Sequence, residues 1–282
     1  MPMRDLPFLR RTLWRAARRA YCAARSDLPS DDIAHNGEGR LQRDMVKLLA
    51  GRTKQAVVFD VGANIGDWSV SLLDARRASS RPFSLKLHAF EPVPETHQSL
   101  LRALARHPDG ACVTPVPMAL SSRDGAAHIF SAGANQGTNS LHDDGLRPGR
   151  KALAIKLITA DTYAKRHGIG EIHFLKCDAE GHDCEVIQGA HPLIQAGRIW
   201  ALQFEYNHIW IASRHYLKDV FDLIAGCDYS LAKITPTCVE VLPGWHPELE
   251  RFFSANFALI RNDLVRELAH VLLAADTSNT FA

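Results

Sequence analysis

Val57-Val58-Phe59-Asp60-Val61-Gly62-Ala63-Asn64-Ile65-Gly66-Asp67-Trp68-Ser69 is the stretch on which the reading of this chain turns. Val57, Val58, Phe59 and Val61 make a short apolar run rich in β-branched residues, as a parallel strand covered on both faces requires. Gly62 lets the chain turn sharply, and Gly66 lets a helix start close to the strand. That helix presents unpaired N–H groups and the positive end of its dipole. Strand, tight turn and helix together predict a ligand cradle at the carboxyl end of a strand.

Working outward, apolar strands alternate with amphipathic helices. Helix 67–78 precedes strand Leu85–Pro92. Helix 95–107 precedes a third strand, Cys112–Leu120, interrupted by Pro115 and Pro117. Residues 126–131 start a hairpin and 153–159 return from it, while the glycine-rich stretch 132–150 reads as a mobile loop. A short helix at 161–167, strand Ile172–Asp178, helix 183–196, strand Trp200–Glu205, helix 215–225 and strands 229–234 and 257–260 follow, with a terminal helix at 263–274. This alternation predicts an α/β fold, a mainly parallel sheet of seven strands with helices on both faces. Two consecutive strands at the end predict one reversed strand at that edge. The expected organisation is a basic helical extension and linker over 1–50, a main domain over 51–262, and a C-terminal helix and tail over 263–282.

Composition sets limits on function. A net charge of +2 over 282 residues gives no electrostatic case for nucleic acid. Arg4, Arg10, Arg11, Arg15, Arg18, Arg19 and Arg25 crowd the N-terminus with only Asp5 opposing them. Residues 6–24 fit a basic helix with Leu6, Leu9, Leu13, Trp14, Ala17 and Tyr21 on one face. That face can pack on the domain, or make peripheral contact with an anionic membrane surface. The six cysteines form no CxxC pair, so reduced thiols in a cytoplasmic protein are expected. No run reaches the ~18 apolar residues of a membrane span.

Three clusters carry chemistry, each at the carboxyl end of an expected strand. In the first, Glu91 ends the second strand, where a carboxylate accepts hydrogen bonds from ribose hydroxyls. A dinucleotide fingerprint laid from Gly62 would need glycines at 64 and 67, where the chain has Asn64 and Asp67. Asp60 is unwelcome to phosphate but suits a cation. S-adenosylmethionine carries a sulfonium and an ammonium group and no phosphate. The second cluster is Lys176-Cys177-Asp178-Ala179-Glu180-Gly181-His182-Asp183, whose crowded acids and imidazole suit a general base acting on an acceptor hydroxyl. Helix capping by Asp178 or Glu180 is the plainer alternative. These oxygens can bind a metal such as Mg²⁺, but nothing in the spacing requires one, and no metal site is assigned. In the third, Glu205, Asn207 and His208 can bond a polyol acceptor, Trp210 can stack on a sugar face, and Arg214 follows; an ordinary strand-to-helix loop with a buried Trp is the plainer alternative.

Together these stretches resemble the FkbM family of S-adenosylmethionine-dependent methyltransferases. The matching segments are Val58–Gly66, Ala89–Pro92, Ala119–Ser121 with Asp124-Gly125, Gly137–Leu141, Leu175–Gly181 with Glu185–Ala190, Phe204-Glu205 and Asn256-Phe257. The resemblance implies the class I methyltransferase (Rossmann-like) fold and O-methylation of a sugar, glycan or natural product by direct transfer. It implies a cofactor set of Asp60, Gly62, Ala63, Asn64, Gly66, Glu91, Pro92, Ala119, Leu120, Ser121 and Asp178. Asp60 to Gly66 would surround the methionine moiety, Glu91 the ribose and Ala119–Ser121 the adenine, and Asp178 would face the methyl group. His182 is the first choice of base, oriented by Asp178 or Glu180, and His208 the second. Cys177 and Asn139 depart from the family's usual residues and leave the acceptor pocket open. N-methylation of an amine and a non-catalytic binding subunit stay as alternatives. A nicotinamide enzyme is disfavoured by the glycine pattern.

Overall fold

In a computed structural model the described residues are 7–27, 32–131, 133, 139–143, 145, 149–268, 270–273, 275 and 277. Most of the stretch 132–150 expected to be a mobile loop, including Gly137 and Thr138 of the family-like segment, therefore lies outside them. The first half of the chain runs α1 (Pro7–Ala24), α2 (Glu38–Arg52), β1 (Gln55–Val61), α3 (Asp67–Arg77), β2 (Ser84–Phe90), α4 (Pro94–Arg106), β3 (Val113–Val116), β4 (Ala119–Leu120), β5 (Gly125–Ser131) and β6 (Lys151–Ile158). The second half runs α5 (Ala160–Arg166), β7 (Phe174–Cys177), α6 (Asp183–Gln195), β8 (Ala201–Tyr206), α7 (Trp210–Ser213), α8 (Leu217–Leu223), β9 (Tyr229–Ile234), β10 (Val239–Val241), β11 (Ala255–Arg261), α9 (Asn262–Val265) and β12 (Val271–Leu272).

The main sheet has the order β12-β10-β9-β11-β8-β7-β1-β2-β3. Strands β3, β2, β1, β7 and β8 are parallel neighbours, as the alternating pattern requires. β1 shows why both faces are covered. Ala56 and Val58 point into a core built on α2, α3 and α4, while Phe59 and Val61 point into one built on α5, α6 and α8. A smaller sheet has the order β4-β6-β5.

Four expectations need correction. The one reversed strand expected at the edge is replaced by three: β11 lies inside the sheet, antiparallel to both β8 and β9, and β10 and β12 also run against the parallel set. The sheet has nine strands, because β10 and β12 extend the edge beyond the seven expected. These two are too short to leave a period-2 signal. The helix expected at 263–274 is a single turn, α9: Leu264 and Leu268 bury against the core, and Val271–Leu272 pair with β10. The third strand divides into β3 and β4, which join different sheets.

The N-terminal region has two parts. Leu41, Met45 and Leu49, at helical spacing on α2, are fully buried in the core beneath α3. α1 is anchored only near its end, where Cys22 is buried, Tyr21 donates to Glu248 Oε2 at 2.9 Å and Arg18 lies over the Phe253 ring. Toward its start, Phe8 is 83% exposed and Trp14 69% exposed. All six cysteines are free thiols. Among the described residues no helix is long and apolar enough to cross a membrane.

Candidate functional site

The carboxyl ends of β1, β2, β7 and β8 open into one cleft of about 590 Å³. The turn after β1 forms its floor. Gly62 has φ +73°, and a Cβ there would lie 1.9 Å from the Asp178 carbonyl oxygen, so only glycine lets these strand ends meet. Asn64 also adopts a positive φ, 48°, which asparagine tolerates better than most residues. Its side-chain oxygen is buried at the cleft with no hydrogen-bond partner.

Glu91 closes the turn from the β2 side. Its Oε2 accepts from the Asn64 N–H at 3.0 Å and its Oε1 from the Val93 N–H at 2.9 Å. Burial pushes the Glu91 carboxyl up to about 7, against the pull of those two donors. Each oxygen keeps a further lone pair for a ligand.

Beneath the floor runs a buried polar row that joins three strands. Asp60 on β1 sits in register with Lys176 on β7, and Lys176 with Gln203 on β8. Asp60 Oδ2 accepts from Ser69 Oγ at 2.6 Å, and Lys176 Nζ lies 3.9 Å from Asp60 Oδ1 and 3.3 Å from Asp178 Oδ2. Gln203 donates to Glu38 Oε2 at 2.6 Å. Burial opposes the Lys176 charge, but Asp178, Asp60 and Glu38 together hold the ammonium above its ordinary range. The row is costly to bury and is tolerated because its charges are paired.

The structure sorts the expected residues. Gly62, Ala63, Asn64, Glu91, Pro92, Ala119, Leu120, Asp178, Glu180, His182, Glu205, Asn207 and His208 all line the cleft. Asp60, Gly66 and Ser121 do not: Asp60 lies under the floor, Gly66 packs on Leu100, and Ser121 Oγ bonds His182. Trp210 cannot stack on a sugar. It is fully buried against Phe204 and Tyr206, and its Nε1 donates to the Glu205 carbonyl at 3.0 Å. Arg214 is an exposed left-handed residue that ends α7, away from the cleft. Capping of α6 by Asp178 or Glu180 is not seen either. Asp183 instead ties the loop, accepting from the Ala179 and Gly181 N–H groups at 3.3 and 3.2 Å.

His182 also differs from expectation. Its ring borders the cleft, but Nε2 lies 2.9 Å from Ser121 Oγ and Nδ1 lies 3.1 Å from His142 Nε2. Both nitrogens are thus engaged by the protein, and neither is offered to an acceptor. His208 is exposed at the cleft.

Other lining residues escaped sequence reasoning. Ile33, Asn36 and Glu38 come from the segment read as a linker, and Asn256 and Ser254 from β11 and its approach. Lys176 stood in the second cluster without a role, although a charge within the otherwise apolar strand Phe174-Leu175-Lys176-Cys177 was a usable signal for one. For Glu38 no local signal exists, since its burial follows from contacts with Gln203 and Asn256 far along the chain.

Glu205 accepts from Asn207 Nδ2 at 2.8 Å and Ser254 Oγ at 2.5 Å. Burial, then the nearby Asp178 charge, pushes its carboxyl up to about 8. Its folded value exceeds the unfolded one near 4.5, so the stability it contributes is present below about pH 4.5 and lost as pH rises through 8. Glu91 and Asp183, each pushed up to about 7, act in the same direction. The ligand-free protein is therefore expected to melt lower at pH 8.5 than at pH 6.5. Glu205→Gln should lessen that fall, measured by thermal unfolding at the two pH values. An unchanged difference would show that Glu205 is already ionised in the folded state.

Comparison with known proteins gives this geometry a family. The family model described as the methyltransferase FkbM domain matches residues 60–231, more than half of the chain. The chain belongs to the FkbM methyltransferase family. A hexuronic acid methyltransferase of Haloferax volcanii, AglP, is 28% identical over 159 residues, 56% of this chain and 59% of that protein. The match thus spans less than two thirds of that relative. Among solved structures, the FkbM methyltransferase of Methylobacillus flagellatus KT shares 15% identity at a TM-score of 0.47, covering 77% of this chain and 47% of that one. The cofactor-bound Rv0187 from MTB shares 11% identity at a TM-score of 0.43, covering 88% and 89%.

The doubly wound sheet with β11 reversed is the class I methyltransferase fold. Membership of the FkbM methyltransferase family implies S-adenosylmethionine as the methyl donor. The cleft residues fit that molecule. Glu91, Asp178 and Glu205 suit a cationic ligand, the unpartnered Asn64 oxygen can accept from an ammonium or hydroxyl, and Lys176 is already held between acids.

Proposed function

We propose that this protein transfers a methyl group from S-adenosylmethionine to a hydroxyl of a sugar within a glycan. The observation that carries this reading is the convergence on one cleft of Asn64 and Glu91 from the β1 and β2 ends with Asp178, Glu205, Asn207 and His208 from the β7 and β8 ends. The first pair belongs to a cofactor half and the second group to an acceptor half. The sugar class draws support from AglP, whose described substrate is a hexuronic acid.

S-adenosylmethionine, when bound, supplies an electrophilic methyl group on a good leaving group. Gly62, Ala63 and Asn64 would hold its methionine end, Glu91 its ribose hydroxyls, and Ala119 and Leu120 its base. The rest of the task falls to the chain's own side chains. They must align an acceptor oxygen and take one proton. Asp178 stands at the junction of the two halves. Glu205 and Asn207 are placed to bond acceptor hydroxyls. His208, with its ring exposed at the cleft, takes the hydroxyl proton. The acceptor's setting is proposed to be an anionic membrane surface, because Phe8, Leu13 and Trp14 stand exposed among the arginines of α1.

The test is incubation with methyl-labelled S-adenosylmethionine and neutral or uronic-acid glycans, free or displayed on anionic vesicles. Alkali-stable label in a sugar fraction is expected. A Trp14→Glu variant should lose labelling of vesicle-borne acceptors only. Label recovered on amines would replace the hydroxyl reading with N-methylation. Tight cofactor binding without transfer to any fraction would favour the non-catalytic subunit.

A further inference from the structure

The glycine-rich excursion meets α6 in a cluster that methyl transfer does not require. His142 Nε2 lies 3.1 Å from His182 Nδ1 and 3.1 Å from Glu185 Oε1. His182 Nδ1 lies 3.5 Å from the same Glu185 oxygen. The three atoms thus form a nearly equilateral triangle, and hydrogen bonding leaves one of its edges unsatisfied. Glu185 Oε1 has no proton to give, and each imidazole nitrogen carries at most one, aimed along one edge. At most two of the three edges can hold a proton. The third must oppose two lone pairs or two protons at close range.

A cation at the centre satisfies all three edges at once. Tetrahedral bonds of ~2.0–2.1 Å to nitrogen and oxygen place ligand atoms roughly 3.3 Å apart, which matches the observed edges. The surrounding groups are those that orient metal ligands. His182 Nε2 is engaged by Ser121 Oγ at 2.9 Å, which directs the Nδ1 lone pair to the centre. His215 lies 3.6 Å from Glu185 Oε1 through Nε2, while its Nδ1 is held by Asp219 Oδ2 at 3.1 Å. The second oxygen of Glu185 is buried with no hydrogen-bond partner.

We propose that His142, His182 and Glu185 bind one divalent transition-metal ion, with zinc the best match to two imidazoles and a carboxylate. The site is separate from the chemistry but adjoins it. Asn139 and Leu141, neighbours of His142, line the cleft. A bound ion would clamp this short segment onto α6 and so shape the wall of the acceptor pocket. His182 then serves as a ligand and not as a base. This proposal does not rest on the methyl-transfer reading.

Zinc affinity and stoichiometry of the full chain, stripped with chelator, test it directly through competition with a chromophoric chelator. One equivalent is expected to bind the wild type. Glu185→Gln, which keeps the side-chain shape, and His142→Ala should each lose more than the roughly 10–100-fold that removal of an outer partner costs. His215→Ala, which removes only such a partner, should stay within that range. Thermal unfolding of the stripped variants checks that each remains folded. Wild-type binding no tighter than that of a folded Glu185→Gln variant would overturn the proposal.

Discussion

Glu91→Ala is expected to weaken S-adenosylmethionine binding roughly 10- to 100-fold. A hydrogen bond to a charged group contributes about 1.5–3 kcal/mol, and each 1.4 kcal/mol is a factor of ten. Glu91 is buried at the cleft, with one oxygen fixed by the Asn64 N–H and the other by the Val93 N–H. Its position is therefore set before any ligand arrives, and little ordering cost accompanies binding. Calorimetric titration measures the loss directly. Glu91→Gln should fall between wild type and alanine, since it keeps the shape and one acceptor oxygen. Undiminished affinity in a folded alanine variant would remove Glu91 from the ribose.

His208→Ala is expected to lower kcat by about 10²–10⁴-fold, the range for loss of a positioned general base. Cofactor affinity should stay near wild type, because His208 comes from the loop after β8 and not from the turns after β1 and β2. Rate measurement on the labelled acceptor, with parallel calorimetry, separates the two quantities. Retained turnover in His208→Ala with loss in His182→Ala would return the base to His182 if His142→Ala, which breaks the same cluster, keeps its turnover. Full turnover in both would point to an amine acceptor, which needs no strong base.

Much of the cleft wall built by the turns after β1 and β2 was legible because it is local. The strand, turn and helix lie within thirteen consecutive residues, and a glycine or an acid at a strand end has its consequence within a turn of where it stands. Gly62, Asn64 and Glu91 occupy their places for that reason. The wall built by the loops after β7 and β8 was legible only as a neighbourhood. Asp178, Glu205, Asn207 and His208 line the cleft, but Trp210, three residues after Asn207, turns into the core to fill space beside Phe204 and Tyr206. Packing, not sequence position, chose its direction.

The edges of the sheet were less legible for a related reason. β10 and β12 are brief segments whose strand character comes from the open edge of β9 that they cover. Leu264 and Leu268 do sit at helical spacing, but the chain after α9 gains more from pairing Val271 with Val239 than from another helical turn. Such competition between local pattern and available partners cannot be read from the segment alone.

By itself, then, the sequence determined the doubly wound sheet, the edge at which the cleft opens, and a cationic nucleoside as the expected cofactor. These follow from periodicity, turn chemistry and strand-end charge, all short-range properties. The tertiary structure alone decided where β11 inserts, that Glu38 and Asn36 reach the cleft, and that His182 faces His142 and Glu185 instead of an acceptor. Each of those depends on which faces of distant elements meet, and burial of the two cores beside the sheet settles that only when the whole chain has folded.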